Sequence, residues 1–292
     1  MRVAVVDVGA NTLRLLAADV SARGVEPLRE ERRRTGLGED VERFGHLTDE
    51  KIERSVQAAT REVRRARKLS CANVEVLVTS PARNASNGDQ LVHALAAAGA
   101  PVRALSADEE AGLAFAGAVA CSAIDASTVA VCDVGGGSAQ IAVGTPAGPA
   151  WMRSVPVGSL RLTERCVVSD PPTEGELARL RDAAAAALSG LTPPLPVAAL
   201  ATGGTARALR RLTAEALDEG AFEQALAELV PLTIRKRAER LGVDRERART
   251  LLAGAIVLAE LQRRLRVPLE VARGGLREGA CLALARAEAA SA

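Results

Sequence analysis

One local pattern occurs twice in this sequence. Residues 3–12 read VAVVDVGANT, and residues 129–138, 126 positions further along, read VAVCDVGGGS. Each copy is a β-branched run that ends in Asp-Val-Gly and continues through small or hydroxyl residues into a second apolar run. The pattern predicts two strands joined by a tight turn, with Asp7 or Asp133 at the turn.

The two turns are chemically suited to phosphate. Glycine lets the backbone approach a ligand closely and direct its N–H groups at an anion. Aspartate can hold a hard cation, directly or through water, and the cation neutralises phosphate oxygens. Two such turns on either side of a phosphate chain would bind it through Gly9, Asn11, Thr12, Gly135, Gly136, Gly137 and Ser138. The alternative is a duplicated hairpin whose glycines are purely structural.

Composition limits the classes of partner. The chain has 292 residues, which favours two domains. With three Phe, one Trp and no Tyr, it lacks the aromatic platform that single-stranded nucleic acid requires, so no nucleic-acid partner is expected. A net charge of +2 gives no global field for polyanions. Basic clusters at 64–68, 235–240 and 245–249 are expected to be solvated helix faces.

Cysteine usage and hydropathy predict a cytoplasmic protein. The five cysteines are odd in number and lack metal-binding spacing, which favours free thiols in a reducing compartment. No signal peptide precedes the first strand, and no apolar run reaches membrane-spanning length. We therefore expect no membrane partner.

Strands and helices are expected in both halves of the chain. The first 45 residues are predicted to be strands and turns, followed by a helix at 47–70 that Thr48 can cap. Residues 79–84 are predicted to be a polar turn between a strand and a helix that starts near Ser86. A further helix is expected at 107–120. The expected domains are 1–122 and 123–292, with the last helix able to pack back on the first domain.

Further motifs extend the pattern along nearly the whole chain. In order, they are RTGLGE at 34–39, TSPARNASN at 79–87, SADEEA at 106–111, VGSLRLTE at 157–164, GGT at 203–205 and GLREG at 275–279. With the two turns, they make the sequence resemble the exopolyphosphatase/guanosine-pentaphosphate phosphohydrolase (Ppx/GppA) family, in its short two-domain form. The resemblance implies an α/β fold of two actin-like (ribonuclease H-like, ASKHA) domains around a central cleft.

The resemblance also implies roles for individual residues. Arg83 corresponds to a phosphate-binding arginine, and Glu110 to the catalytic glutamate that activates water. Ser106 and Glu109 have the spacing of a capping box, which gives Glu109 a structural role and leaves it the second candidate for the base. The other interpretation is that both glutamates only suit the helix dipole.

The metal and the third turn are further expectations. Asp133 is the expected ligand of Mg²⁺ or Mn²⁺, and Asp7 could contribute through water. The turn formed by Gly203, Gly204 and Thr205 is expected either to line a phosphate channel or simply to turn the chain.

The sequence departs from the family pattern at four positions. Ala10 stands where the family has serine, Ala139 and Gln140 replace a Thr-Glu pair, and Gly112 replaces a frequent arginine. The family glutamate helps bind the metal, and Gln140 keeps an oxygen ligand but loses its charge. We therefore expect weaker metal binding, because hard divalent cations prefer anionic oxygens.

The expected function is a metal-dependent exopolyphosphatase that hydrolyses terminal orthophosphate from inorganic polyphosphate. Guanosine pentaphosphate is the alternative substrate, and the scarcity of aromatic residues disfavours it slightly. A weakly active or non-catalytic sensor of polyphosphate or an alarmone is a third interpretation. An actin-like ATPase or sugar kinase is less favoured because no sugar-binding signature is found. The family resemblance also implies a possible homodimer.

Overall fold

A computed structural model of the protein describes residues 1–213 and 216–291. They form two compact units, one of residues 1–123 together with the segment from 274 onward, the other of residues 124–273. The strands are β1 (Arg2–Val8), β2 (Thr12–Ser21), β3 (Gly24–Arg34), β4 (Asn73–Val78), β5 (Val102–Ala104), β6 (Val129–Val134), β7 (Ala139–Thr145), β8 (Gly148–Val155), β9 (Ala198–Thr202) and β10 (Leu269–Val271). The helices are α1 (Leu37–Phe44), α2 (Asp49–Lys68), α3 (Ser80–Asn84), α4 (Gly88–Ala97), α5 (Ala107–Ala120), α6 (Ser159–Cys166), α7 (Glu174–Ala187), α8 (Gly203–Leu209), α9 (Glu219–Leu229), α10 (Ile234–Leu241), α11 (Arg245–Leu265) and α12 (Leu276–Ser291).

The two units contain sheets of the same topology. The first sheet has the order β3-β2-β1-β4-β5, and the second has the corresponding order β8-β7-β6-β9-β10. In each sheet the first three strands along the chain are antiparallel neighbours, and the next two join in parallel. Both predicted hairpins are therefore present. The duplication confirms the predicted α/β class with two domains of one fold.

Helices cover the first sheet on both faces. Alternate residues of a strand point to opposite faces, so Ala4, Val6 and Val8 pack with α2 and α4, whereas Val3 and Val5 pack with α12. A strand covered on both sides must be apolar almost throughout. This explains why Asp7 stands out at the end of β1.

The last helix packs on the first unit. The helix α12 contacts α5, where the backbones approach so closely that a side chain at Gly117 or Gly279 would overlap the neighbouring main chain. The division into units thus differs from the predicted limits of 1–122 and 123–292 by grouping α12 with the first unit. The sequence alone leaves this packing of the last helix on the first domain open.

The local predictions for the first unit are partly correct. Thr48 caps α2 as predicted, accepting a hydrogen bond from the Lys51 N–H, and α5 has the predicted limits. The prediction of strand and turn for residues 37–44 is wrong, because this segment is α1. It has acidic residues in its first turn and a basic one in its last, which stabilises a helix.

The predicted polar turn at 79–84 is also wrong, because Ser80–Asn84 forms the short helix α3. Pro81 lies in the first turn of this helix, where proline needs no N–H partner and its fixed φ suits the helix. The correction matters because α3 carries Arg83.

The cysteines are free thiols, as predicted. Burial in the middle of β6 raises the pKa of the Cys132 thiol to about 12, so this thiol stays protonated. Among the described residues, the helices are all too short or too polar to span a bilayer.

Candidate active site

The same hydrogen bond closes both Asp-Val-Gly turns. The N–H of Gly9 donates to the carbonyl of Thr12 at 3.1 Å, and the N–H of Gly135 donates to the carbonyl of Ser138 at 3.0 Å. The repeated sequence pattern therefore produces a repeated local structure, and each turn joins two antiparallel strands.

The carbonyl groups of the first turn are held by the segment that leads into α1. The carbonyl of Ala10 accepts from the N–H of Gly38 at 2.7 Å, and the carbonyl of Asn11 accepts from Thr35 and Gly36 at 3.1 and 3.2 Å. These oxygens would repel a phosphate if they faced it. Their engagement leaves the turn better suited to present N–H groups to an anion.

The second turn is held in the same way by the start of α6. The carbonyl of Gly135 accepts from the N–H of Ser159 at 2.9 Å, and that of Gly136 accepts from Leu160 and Arg161 at 2.9 and 3.0 Å. The chain passes so close to Gly136 at Gly158 that a Cβ there would overlap the Gly136 carbonyl. The motif at 157–164 thus has a local function, which is to support this turn.

Asp7 and Asp133 have different neighbours. Across the sheet, Asp133 lies opposite Gln140 on β7 and Thr202 on β9, which both carry side-chain oxygens. Asp7 lies opposite Arg14 on β2 and Leu77 on β4. A cation is favoured beside oxygen donors and disfavoured beside a guanidinium. The second turn is therefore the better cation site.

Gln140 is fixed by two serines. Its amide nitrogen donates to the hydroxyl of Ser138 at 2.8 Å and to that of Ser154 at 3.1 Å, and the residue is only 2% exposed. Because the amide nitrogen is engaged, the amide oxygen is the atom directed away from the serines. Each serine hydroxyl accepts this bond, so its own proton can be donated elsewhere.

The oxygen donors around Asp133 fit a hard divalent cation. The set consists of one carboxylate, one amide oxygen and the Thr202 hydroxyl, which is buried without a hydrogen-bond partner among the described residues. Throughout residues 1–213 and 216–291, no three His, Cys, Asp or Glu side chains come together as a metal cluster. Mg²⁺ is commonly bound by one or two carboxylates, water and substrate phosphates, which suits such a sparse set.

The predicted turn of Gly203, Gly204 and Thr205 is the start of the helix α8, and it lies beside Asp133. Gly203 has φ +89°, and a Cβ there would lie 3.1 Å from the Asp133 Oδ1, so glycine is needed for both the backbone and the carboxylate. The guanidinium of Arg247 lies over Gly204. Thr205 is fully buried and packs against Gly254, so it supports the turn from inside the unit and is not on its surface.

The first unit brings Arg83 and Glu110 into contact. Arg83 forms an ion pair with the Glu110 carboxylate, and its other terminal nitrogen donates to the carbonyl of Leu105 at 2.8 Å. Glu110, in the first turn of α5, is 8% exposed. Two residues that the sequence assigns to catalysis separately therefore lie side by side, and the guanidinium orients the carboxylate.

Glu109 is engaged as a helix cap. Its backbone N–H donates to the Ser106 hydroxyl at 3.1 Å, and its carboxylate accepts from the Ser106 N–H at 2.8 Å, which confirms the predicted capping box. This hydrogen bond from the Ser106 backbone lowers the pKa of Glu109, and an ion pair with Arg103 at 2.6 Å acts in the same direction. Glu109 is therefore committed to the cap of α5, which is the structural role that the sequence gives it.

Comparison with known proteins identifies the family. The model described as the Ppx/GppA phosphatase family matches residues 16–288. The chain belongs to this family. Exopolyphosphatase 1 of Mycobacterium tuberculosis is 30% identical over 301 residues, covering 97% of this chain and 88% of that protein. Exopolyphosphatase 2 of the same species is 31% identical over 315 residues, covering 97% and 98%.

Solved structures support the Ppx/GppA fold. The family member from Aquifex aeolicus has a TM-score of 0.83 at 25% identity and covers 99% of this chain and 98% of its own. An exopolyphosphatase from Cytophaga hutchinsonii, 22% identical, has a TM-score of 0.87 with 97% of each chain covered, which shows the same fold. The predicted class of enzyme, a phosphoanhydride hydrolase, is confirmed with the family.

Two residues of this candidate site, Thr202 and Ser154, were not indicated by the sequence. Thr202 could have been found from its place at the end of a buried strand directly before Gly203. Ser154 gives no such signal, because it reaches Gln140 only through the pairing of β7 with β8.

Proposed function

We propose that this Ppx/GppA protein is a metal-dependent exopolyphosphatase that releases orthophosphate from the end of inorganic polyphosphate. The contact between Arg83 and Glu110 carries the proposal, because it puts a phosphate-binding cation and a general base at one place. Relatives named exopolyphosphatase, 30 and 31% identical, support the substrate class. We also place the protein in the cytoplasm, where its free cysteines would stay reduced.

In this proposal, Arg83 and Glu110 act together on the terminal phosphate. Arg83 binds phosphate oxygens through its planar guanidinium, which matches their geometry. Glu110 accepts a proton from the attacking water, and its bond to Arg83 orients its carboxylate. Phosphoryl transfer depends mainly on positioning and charge stabilisation, so the N–H groups of both turns contribute by binding phosphate oxygens.

The metal belongs with the second turn in this proposal. Asp133 would hold Mg²⁺ or Mn²⁺ with help from the Gln140 amide oxygen and the Thr202 hydroxyl, and Asp7 would contribute through water. When bound, the cation neutralises charge on the phosphate oxygens. Ser138, whose hydroxyl accepts from Gln140, would donate its own proton to a phosphate oxygen.

Guanosine pentaphosphate is the second candidate substrate, because the family includes both activities by name. A guanine would be bound best by stacking on an exposed aromatic ring. The chain has four aromatic residues, of which Phe115 and Phe222 are buried in the core, Trp151 is half-buried and Phe44 is exposed at the end of α1. This scarcity slightly favours the substrate that has no nucleobase. Phosphate release from the two substrates at equal concentration would decide between them.

A Glu110→Gln variant tests the proposal. The amide can still accept from Arg83 but cannot take a proton, so kcat for phosphate release should fall by about a hundredfold or more while KM changes little. Glu109→Gln should keep most of its activity and lose some stability, because its role is in the helix cap. Orthophosphate release from long-chain polyphosphate is measured while Mg²⁺ and Mn²⁺ are titrated.

Full activity of Glu110→Gln would exclude Glu110 as the base. Tight binding of polyphosphate by the wild type, without release at any metal concentration, would support the sensor interpretation, for which Ala10, Ala139 and Gln140 are the motivating residues.

A further inference from the structure

The second half of α2 carries a stripe of basic residues. Arg61, Arg64 and Lys68 are exposed and spaced three and four residues apart, so they lie on one face of the helix. At a rise of 1.5 Å per residue, the stripe is about 10 Å long. Together with Arg65 and with Ala98, the residue that follows α4, it lines a groove of about 640 Å³.

The carboxylates near this groove already have partners. Glu62 is buried and accepts from Arg33 at 2.7 Å and from Arg65 at 3.0 Å. Glu31 pairs with Arg65 at 3.2 Å. In the part of the chain that the structure describes, Arg61, Arg64 and Lys68 have no carboxylate within ion-pair distance. The groove therefore presents three uncompensated positive charges.

The helix dipole explains only part of the stripe. Basic residues stabilise a helix within its last turn, which accounts for Lys68 at the end of α2. Arg61 lies two turns earlier, where the dipole has little effect. Like charges on one helix face repel each other and destabilise the helix. A bound anionic ligand would remove this repulsion.

We propose that this groove binds a linear polyanion, namely a stretch of the phosphate chain away from the end that is hydrolysed. The inference rests on the proposed function for the identity of the substrate. Nothing aromatic lines the groove, so it lacks the stacking surface of a site for single-stranded nucleic acid. Charged groups alone suit a ligand that consists of phosphates.

The position of the groove makes it selective for chain length. The Leu69 carbonyl, next to Lys68, accepts from Arg2 at the start of β1, whereas the Asp7 turn follows the end of β1. The strand β1 has seven residues, and the distance from its first to its last Cα is about 20 Å at 3.3 Å per residue. A short phosphate chain can reach only one of these ends.

The test is a triple variant, Arg61→Gln/Arg64→Gln/Lys68→Gln, compared with Arg23→Gln/Arg245→Gln/Arg286→Gln. The control removes the same net charge from exposed positions outside the groove. For long-chain polyphosphate, the groove variant should raise KM about tenfold, as three surface contacts of modest strength would. Its kcat and its KM for tripolyphosphate should stay at wild-type values, and the control should resemble the wild type throughout.

Direct binding separates this inference from the proposed function. With a chelator present to stop turnover, long-chain polyphosphate should bind the groove variant more weakly and with a shallower salt dependence than it binds the control. If the wild type releases no phosphate but the groove variant still binds polyphosphate less tightly than the control, the proposed function is wrong and the proposal that the groove binds polyphosphate is supported. The proposal that the groove binds polyphosphate would be overturned by equal KM and equal polyphosphate affinity of the two triple variants. Tighter binding of single-stranded RNA than of polyphosphate would also overturn it.

Discussion

Gln140 shows how one residue sets the chemistry of a turn. A glutamate here would accept hydrogen bonds from the hydroxyls of Ser138 and Ser154, whereas the amide of Gln140 donates to both. The direction of these bonds decides where the serine protons go. In this chain the Ser138 hydroxyl accepts from Gln140, so its own proton is available to a ligand.

Gln140→Glu should therefore change two quantities in opposite directions. The added charge should lower the Mg²⁺ concentration for half-maximal activity several-fold, because hard cations prefer anionic oxygens. The Ser138 hydroxyl would turn to the new carboxylate, so KM for polyphosphate should rise. The Mg²⁺ midpoint and the KM are both measured in phosphate-release assays, with the concentration of Mg²⁺ varied in one and that of polyphosphate in the other.

Gln140→Met is the matched control, because it has a similar shape but no oxygen ligand. It should raise the Mg²⁺ requirement. An unchanged Mg²⁺ midpoint in both variants would show that position 140 does not contribute to metal binding.

At the scale of elements, sequence patterns predicted what local interactions determine. The two hairpins, the capping box of α5 and the Thr48 cap of α2 depend on residues close in the chain, and all were predictable. The contact of Arg83 with Glu110 joins residues 27 positions apart, and family resemblance assigned their roles without showing that they touch. The helix α3 was missed because a Ser-Pro pair is also typical of turns.

Gly158 tests whether α6 supports the second turn. A methyl group at this position would overlap the Gly136 carbonyl, and a backbone carbonyl cannot move without displacing the turn. Gly158→Ala should reduce the free energy of unfolding by about 1–3 kcal/mol, as overpacking does, and lower activity as well. Chemical denaturation and phosphate release measure the two effects.

Gly190→Ala is the control for Gly158, because an added Cβ at Gly190 would meet no atom within 4 Å. It should leave activity unchanged and stability equal or slightly higher, since alanine restricts the unfolded chain. Equal stability and activity of the two variants would mean that α6 does not hold the turn.

Considered as a whole, the molecule is a duplication whose halves have diverged in chemistry. Both units have the same strand order and the same closed turn after the first strand. The flanking residues differ, with a guanidinium opposite Asp7 and an amide opposite Asp133. The sequence shows the duplication directly, but from the sequence both aspartates are predicted to contribute to metal binding. Part of their difference, Leu77 beside Asp7 and Thr202 beside Asp133, depends on β4 and β9, which join each sheet far along the chain.

This divergence predicts unequal effects of the same substitution in the two units. Asp133→Asn removes the carboxylate at the proposed cation site, so it should reduce kcat by at least a hundredfold at fixed Mg²⁺ and raise the Mg²⁺ needed for half-maximal activity. Asp7→Asn should have a smaller effect on the Mg²⁺ requirement, because Arg14 lies opposite and the proposed contribution of Asp7 is through water. Titration of Mg²⁺ and Mn²⁺ with each variant measures the difference, and circular dichroism confirms that both are folded. Equal shifts in the metal midpoint would contradict the assignment of the cation to the oxygen donors around Asp133.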